Sequence, residues 1–80
     1  MQREPNLSID TIVSNIRRAR EFRNLTQDYL AAQLGISQNA YSKLELGYSK
    51  ITLARFFKIA QILDFDFLDL ITWDPKKHSS

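Results

Sequence analysis

The sequence predicts an all-α protein, a compact bundle of five short helices. Apolar residues recur along most of the chain at the i, i+3, i+4, i+7 spacing of amphipathic helices, no segment alternates like a β-strand, and only two glycines and two prolines interrupt the pattern. The 80 residues suffice for one domain, since domains usually have roughly 100 to 150 residues. A chain this short buries only about 60% of its unfolded surface, so it needs an efficient core or a partner chain.

The first helix is predicted to end near Phe22. Ser8 or Asp10 can cap its N-terminus, because a short polar side chain there accepts a bond from an otherwise unpaired backbone N–H. Its apolar stripe consists of Ile9, Ile12, Val13, Ile16, Ala19 and Phe22.

The second helix is predicted between Thr26 and Leu34. Thr26 can cap it, and Leu25 and Leu30 stand at the spacing of a hydrophobic staple. Gly35 follows, and glycine readily takes the left-handed conformation that ends many helices.

The third helix begins after its natural cap, Ser37, and Gly47 ends it. Ile36 and Tyr41 repeat the spacing of the staple. The connection between the second and third helices is therefore only a short turn.

Thr52 can cap a fourth helix and Asp66 a short fifth helix. The fourth carries the stripe Leu53, Phe56, Phe57, Ala60 and Leu63, and the fifth carries Phe67, Leu70 and Ile71. Pro5 and Pro75 bracket the folded part, so we expect a domain over residues 9–73 between flexible tails, residues 1–8 and 74–80.

Composition excludes most catalytic chemistry. The chain has no cysteine, which excludes disulfides, thiolate metal sites and cysteine nucleophiles, and its one histidine, His78, lies in the polar C-terminal tail. We expect no metal, no cofactor and no enzymatic activity, since no nucleophile stands with a base. No run approaches ~18 apolar residues and no signal segment opens the chain, so we expect a cytoplasmic protein without a membrane span.

The net charge of +2 is unevenly distributed. Residues 15–58 hold eight basic and three acidic residues, a net charge of +5, whereas residues 1–14 and 59–80 carry −1 and −2. A basic centre fits a surface that faces a polyanion, although an ordinary solvated face would look similar.

Residues 27–46 carry the motif that indicates function. Two short helices joined by the turn 34–37 form a helix-turn-helix. Ala31 is small where the second of these helices must cross the first closely, Gly35 permits the turn, and Ile36 can fill the wedge between them. An ordinary helical hairpin would need similar apolar spacing but not this combination.

Three segments and four later residues follow one family's pattern: residues 25–27, 34–38 and 41–47, with Ile59, Ala60, Leu63 and Phe65. They resemble the Cro and phage-repressor family of DNA-binding proteins, also called the xenobiotic-response-element (XRE) family, over about residues 12 to 71. The resemblance implies a lambda-repressor-like fold whose third helix enters the major groove of double-stranded DNA. Tyr41 departs from the smaller Ile or Val that is usual, so its hydroxyl must find a partner or reach solvent. Asp64 replaces the usual Gly, but Asp tolerates the left-handed conformation.

The resemblance implies that the outward face of the third helix reads bases. With Tyr41 and Leu44 inward, helical geometry points four polar side chains outward, namely Gln38, Asn39, Ser42 and Lys43. Gln and Asn can pair bidentately with adenine, Lys can donate to guanine, and Ser can serve a base or a phosphate. The alternative for each is a solvated side chain, and for Ser42 or Lys43 a phosphate contact.

Similar proteins bind the DNA backbone through the glutamine that opens the second helix, here Gln27, where the helix dipole also favours a phosphate. Three residues after the third helix resemble the family's second phosphate-binding loop, namely Tyr48, Ser49 and Lys50. Arg17, with Arg18 and Arg23, offers less localised positive potential.

Arg20 is expected to be structural, because it lies on the apolar side of the first helix, four residues after Ile16 and seven after Val13. An arginine there needs a carboxylate. The resemblance supplies Glu45, since the family often ties its first helix to the end of the recognition helix through this pair.

One such domain reads only a few base pairs, and family members commonly dimerise so that two recognition helices lie about 34 Å apart. We therefore expect a transcriptional regulator, a repressor, that binds an inverted-repeat operator as a homodimer. The candidates for the dimer interface, for which burial in the core is the alternative, are Phe65, Phe67, Leu70, Ile71 and Trp73.

A different hypothesis is a protein-interaction module, such as an antitoxin that binds a toxin or another regulator through the same domain. One of the tails, residues 1–7 or 73–80, would then fold onto the partner. We expect no small-molecule ligand, because the sequence shows no ligand domain.

Overall fold

A computed structural model describes residues 8–73, which form five helices: α1 (Ile9–Phe22), α2 (Gln27–Leu34), α3 (Gln38–Glu45), α4 (Leu53–Leu63) and α5 (Phe67–Ile71). These residues contain no strand. The all-α bundle of five short helices is therefore confirmed. The expected tails lie outside the described residues, except that Ser8, assigned above to the N-terminal tail, belongs to the first turn of α1 as its cap.

Four of the helices begin in the same way. The hydroxyl of the capping residue accepts a hydrogen bond from the backbone N–H three residues later, and the four caps are Ser8, Thr26, Ser37 and Thr52. Ser8 rather than Asp10 therefore caps α1. Asp66 occupies the same position before α5, but its side chain makes no capping bond. Each hydroxyl satisfies one of the donors that a helix leaves unpaired at its start.

Left-handed residues end two of the helices. Gly35 has a φ of 72°, and the N–H groups of Gly35 and Ile36 return to the carbonyls of Ala32 and Ala31. These two hydrogen bonds end α2, and α3 begins three residues after Gly35. Asp64 has a φ of 59° at the end of α4, so it adopts the left-handed conformation expected at this position.

The core receives buried side chains from all five helices. α2 packs against α3 and α4, whereas α5 packs against α1 and α4 and has no packing contact with α2 or α3 among the described residues. The helix-turn-helix therefore occupies one side of the bundle and α5 the other. The buried cluster consists of Ile16, Ala19, Leu30, Ala31, Tyr41, Leu44, Phe56, Ile59, Ala60, Leu63 and Leu70.

Asn15 holds α5 against α1. Its side chain is buried, and Nδ2 donates to the backbone carbonyls of Leu70 at 2.7 Å and Ile71 at 3.3 Å. Leu70 is fully buried, so its candidacy as a dimer-interface residue is wrong. A side chain without exposed surface cannot contact a second chain.

Arg23 also has a structural role, contrary to the expectation that it adds loose positive potential. Its Nε donates to the carbonyl of Leu63 and its Nη2 to that of Asp64, both at 2.8 Å. The guanidinium lies over the ring of Phe65, with Cζ 3.9 Å from the centroid. Arg23 therefore closes the C-terminal end of α4, where a cation also complements the helix dipole.

Trp73 packs on its own chain. Its ring meets those of Phe22 and Phe65 edge to face, with centroids 5.9 Å and 5.2 Å apart. Such pairs are a preferred geometry of aromatic rings. Trp73 thus extends the core at the end of α1 and is half-buried there, which makes it a poor candidate for a dimer interface.

Candidate nucleic-acid interface

The sequence-predicted base readers lie on α3. Gln38, Asn39 and Lys43 are exposed, and Ser42 is half-buried. The other side of α3 is buried in the core through Tyr41, Leu44 and Glu45. Its polar face is therefore available to a ligand along the first two turns of the helix.

A buried ion pair anchors the end of α3 to α1. The Nε of Arg20 donates to Oε2 of Glu45 at 2.6 Å, and Nη2 donates to Oε1 at 3.1 Å. Nη1 donates to the carbonyl of Leu25 at 2.8 Å. The structure thus brings together the two residues that the resemblance paired, in the bidentate geometry that suits guanidinium and carboxylate.

Two further donors complete the hydrogen bonding of Glu45. The hydroxyl of Tyr41, which is fully buried, donates to Oε2 at 2.6 Å, and Nε2 of Gln27 donates to Oε1 at 3.2 Å. The partner that the Tyr41 hydroxyl required is therefore the same carboxylate. No buried side-chain nitrogen or oxygen of the described residues lacks a hydrogen-bond partner. This cluster fixes the orientation of α3, because it joins α3 to α1 and to the start of α2.

The pKa values of the cluster follow from these bonds. Burial would by itself raise the pKa of Glu45, but the hydrogen bonds from Arg20, Tyr41 and Gln27 outweigh burial and hold it below its usual value. Burial and the bond to Glu45 raise the pKa of Tyr41. At neutral pH the cluster therefore contains a carboxylate, a guanidinium and a neutral phenol.

Acid is expected to destabilise the domain through Glu45. The pKa of Glu45 is lower in the folded than in the unfolded chain. The stability that ionised Glu45 adds to the fold is therefore fully present above the ordinary glutamate pKa of about 4.3, and it is lost as the pH falls through the pKa of the folded state. We expect the urea midpoint to fall between about pH 5 and pH 3, and to fall less in Glu45→Gln, which cannot titrate there. A wild-type midpoint that stays constant over this range would contradict this role.

Two of the predicted phosphate-binding residues, Ser49 and Lys50, line a cleft of about 290 Å³ between α3 and the start of α4. Ala40 of α3 and Arg55 of α4 lie on its walls. Arg55 is not among the phosphate-binding residues expected from the sequence. Its position in the first turn of α4 is a sequence signal for a functional role, because a cation there is unfavourable with respect to the helix dipole. Tyr48, which precedes the cleft residues, is 77% exposed.

The remaining phosphate candidates occupy different settings. Gln27 is half-buried, and its amide nitrogen is engaged by Glu45. Arg17 is exposed on α1, with its Nε 3.4 Å from Oε2 of Glu21. Such an exposed pair contributes little and yields readily to a phosphate.

No helix of residues 8–73 is long and apolar enough to cross a membrane. The same residues contain no group of three or more His, Asp or Glu side chains placed to hold a metal ion.

Two short helices joined by a left-handed glycine turn, the second with an exposed polar face and a buried anchor, define a helix-turn-helix DNA-binding domain. Residues 16–70 match the model of the family described as helix-turn-helix. An uncharacterized HTH-type transcriptional regulator, y4dJ of Sinorhizobium fredii, is 36% identical over 59 residues, which cover 74% of this chain and 77% of the relative. No solved structure matches the chain significantly.

The chain belongs to the helix-turn-helix family, of the XRE type. It is therefore a DNA-binding regulator and not an enzyme.

Proposed function

We propose that the chain binds a specific sequence of double-stranded DNA by inserting α3 into the major groove, and that it represses transcription as a homodimer on an inverted-repeat operator in the cytoplasm. The observation that carries the proposal is the contrast between the two sides of α3. The Glu45 cluster immobilises one side, while Gln38, Asn39 and Lys43 are exposed on the other. A helix held in this way can present the same hydrogen-bonding groups to every half-site.

Base recognition would rest on the exposed side chains of α3. In a bidentate pair, the amide nitrogen of Gln or Asn donates to N7 of adenine while the amide oxygen accepts from the N6 amino group, which suits Gln38 and Asn39. Lys43 can donate to O6 and N7 of guanine, and Ser42 can bond to either a base or a phosphate. A good bidentate pair contributes about 1 to 3 kcal/mol of discrimination against the wrong base.

Phosphate contacts would position the domain on both sides of α3. Gln27 lies at the start of α2, where backbone N–H groups favour an anion. Tyr48 and Ser49 precede Lys50, whose charge shares a cleft with that of Arg55. Arg17 adds a further exposed cation on α1. These groups attract any duplex, so they contribute affinity without sequence preference.

Repression needs no property beyond tight and specific binding. Two copies whose recognition helices lie one duplex turn apart, about 34 Å, cover an operator and exclude other proteins from it. The inverted repeat follows from the two-fold symmetry of a homodimer, which presents the same face of α3 to each half-site.

Selection of bound duplexes from a randomised DNA library at about 0.15 M salt tests this proposal, because specific sites should bind ~10³-fold or more tightly than other DNA. Enrichment of two inverted half-sites one helical turn apart is the expected result. Enrichment of a single half-site would remove the homodimer from the proposal. No enrichment at all would remove sequence-specific binding.

A further inference from the structure

Arg55 is a half-buried arginine whose guanidinium has no partner among residues 8–73. Its backbone N–H bonds to Oγ1 of Thr52, but its side chain takes part in no hydrogen bond or ion pair with another described residue. Arg20 and Arg23 are also withdrawn from solvent, and both donate to acceptors of their own chain. The donors of the Arg55 guanidinium therefore remain available to an acceptor from outside the chain.

The charges around Arg55 are of one sign. Arg55 and Lys50 line the cleft of about 290 Å³ between α3 and the start of α4, and no acidic side chain of the described residues lines it with them. Two cations in one cleft repel each other, and a cation in the first turn of a helix is also disfavoured by the helix dipole. An anion that enters the cleft relieves both effects, so the cleft is suited to an anionic ligand.

Two hydroxyl groups on the cleft suit a phosphate in particular. Ser49 is exposed, and its hydroxyl makes no hydrogen bond to another described residue. Oγ1 of Thr52 accepts the N–H of Arg55 at 3.1 Å, which leaves its own proton free to donate. A phosphate has enough acceptor oxygens to use both hydroxyls together with the planar fork of Arg55, which matches phosphate geometry.

The cleft lies along the flank of α3 opposite to Glu45. At about 100° per residue, Glu45 and Ala40, which forms a wall of the cleft, lie on opposite flanks of the side that carries Gln38 and Asn39. The major groove is about 12 Å wide, and a helix with its side chains is about 10 to 12 Å across. A helix that fills the groove therefore has a row of phosphates along each flank, and the cleft adjoins one of these rows.

We propose that the α3–α4 cleft binds one phosphate of the DNA backbone, with Arg55 as its principal contact and Lys50 as a second cation. The choice of DNA as the source of the phosphate rests on the proposed function, in which α3 occupies the major groove. Gln27 bonds to Glu45 and so lies on the other flank of α3. With Gln27 and Arg55 on opposite flanks, each strand of the duplex is held, and the contact at Arg55 sets the position of α3 across the groove.

The first test is the affinity of Arg55→Ala for DNA, measured by fluorescence anisotropy at several salt concentrations. Because the Arg55 side chain makes no bond to the described residues, the variant should melt at the wild-type temperature. We expect about 10-fold weaker binding at about 0.15 M salt and a salt dependence reduced by about one counterion. Arg55→Lys keeps the charge and should keep the wild-type salt dependence.

Lys58→Ala is the matched control. It removes an equal charge from an exposed position of the same helix, outside the cleft, and it should bind DNA as the wild type does. If Arg55→Ala and Lys58→Ala bound with the same affinity and the same salt dependence, Arg55 would contribute only to the general charge of the domain and the phosphate site would be overturned.

The second test locates the phosphate. In a series of operator duplexes, one backbone phosphate at a time is replaced by a neutral methylphosphonate. One position in each half-site should weaken wild-type binding about 10-fold and leave Arg55→Ala unaffected, because the variant has already lost that contact. If every position affected both proteins equally while the wild type still preferred its operator, the phosphate site would be wrong and the proposed function would stand.

The converse result separates the two proposals as well. If the wild type preferred no sequence but Arg55→Ala still lowered affinity and salt dependence on any duplex, the phosphate site would be retained and the proposed function overturned.

Inorganic phosphate distinguishes DNA from a free phosphate as the occupant of the cleft. The NMR signal of the Arg55 Nε–H group should shift on addition of duplex and remain unsaturated in millimolar inorganic phosphate. If millimolar phosphate saturated the shift, and Arg55→Ala bound DNA as the wild type does, the cleft would be a site for a free phosphate and its assignment to the DNA backbone would be overturned.

Discussion

Glu45→Ala is expected to lower the free energy of unfolding by about 3 to 5 kcal/mol, because it leaves the charge of Arg20 buried and unpaired. The carboxylate accepts hydrogen bonds from Arg20, Tyr41 and Gln27, and its side chain is 2% exposed. Alanine therefore removes the acceptor of four hydrogen bonds from three residues at once. A small domain has only about 5 to 15 kcal/mol of stability to lose, so the variant should be partly unfolded at physiological temperature.

Glu21→Ala provides the matched control for this prediction. Glu21 also pairs with an arginine, Arg17, but both side chains are more than half exposed, and exposed pairs contribute little. Urea denaturation followed by circular dichroism measures both variants. The assignment of Glu45 as the structural anchor of α3 would be overturned by a Glu45→Ala domain that unfolds at the same urea concentration as Glu21→Ala.

The second large effect is expected in DNA recognition, where Gln38→Ala and Lys50→Ala should fail in different ways. Gln38→Ala removes a base contact, so it should weaken binding to the selected operator by about 1 to 3 kcal/mol and relax the preference at one base position. Lys50→Ala removes a charge beside the phosphates. It should weaken binding to all sequences alike and reduce the salt dependence by about one counterion.

Fluorescence anisotropy titrations of operator and scrambled duplexes, each at several salt concentrations, separate the two outcomes. Both side chains are exposed, so both variants should melt at the wild-type temperature. If Gln38→Ala lost the same affinity for the operator and the scrambled duplex, Gln38 would not be a base-reading residue. If Lys50→Ala lost affinity for the operator alone, Lys50 would contact a base rather than the phosphate backbone.

Much of the fold was predictable because its signals are local. A capping hydroxyl bonds to a backbone N–H three residues away, as Thr26 does to Tyr29, so both partners stand in one short window of sequence. The left-handed turn at Gly35 is equally local. The sequence could also place Gln38 and Asn39 on the outward side of α3, since helical periodicity alone decides which side chains share a face.

The resemblance to a family predicted one contact that local reasoning does not reach. Arg20 and Glu45 stand 25 residues apart, and their bond depends on how α1 crosses α3. Periodicity showed only that Arg20 lies on an apolar face and needs a carboxylate. The roles of Tyr41 and Gln27 as further donors to that carboxylate needed the structure.

By itself, the sequence determined the helix class, the limits of the helices, the turn of the helix-turn-helix and the polar face of α3. The tertiary structure alone decided that Arg23 closes α4, that Asn15 holds α5, and that Leu70 belongs to the core rather than to an interface. The physical reason is separation along the chain. Bonds that cap and close helices join near neighbours, whereas these contacts join residues 40 to 55 positions apart, and only the packing of helices against one another selects such partners.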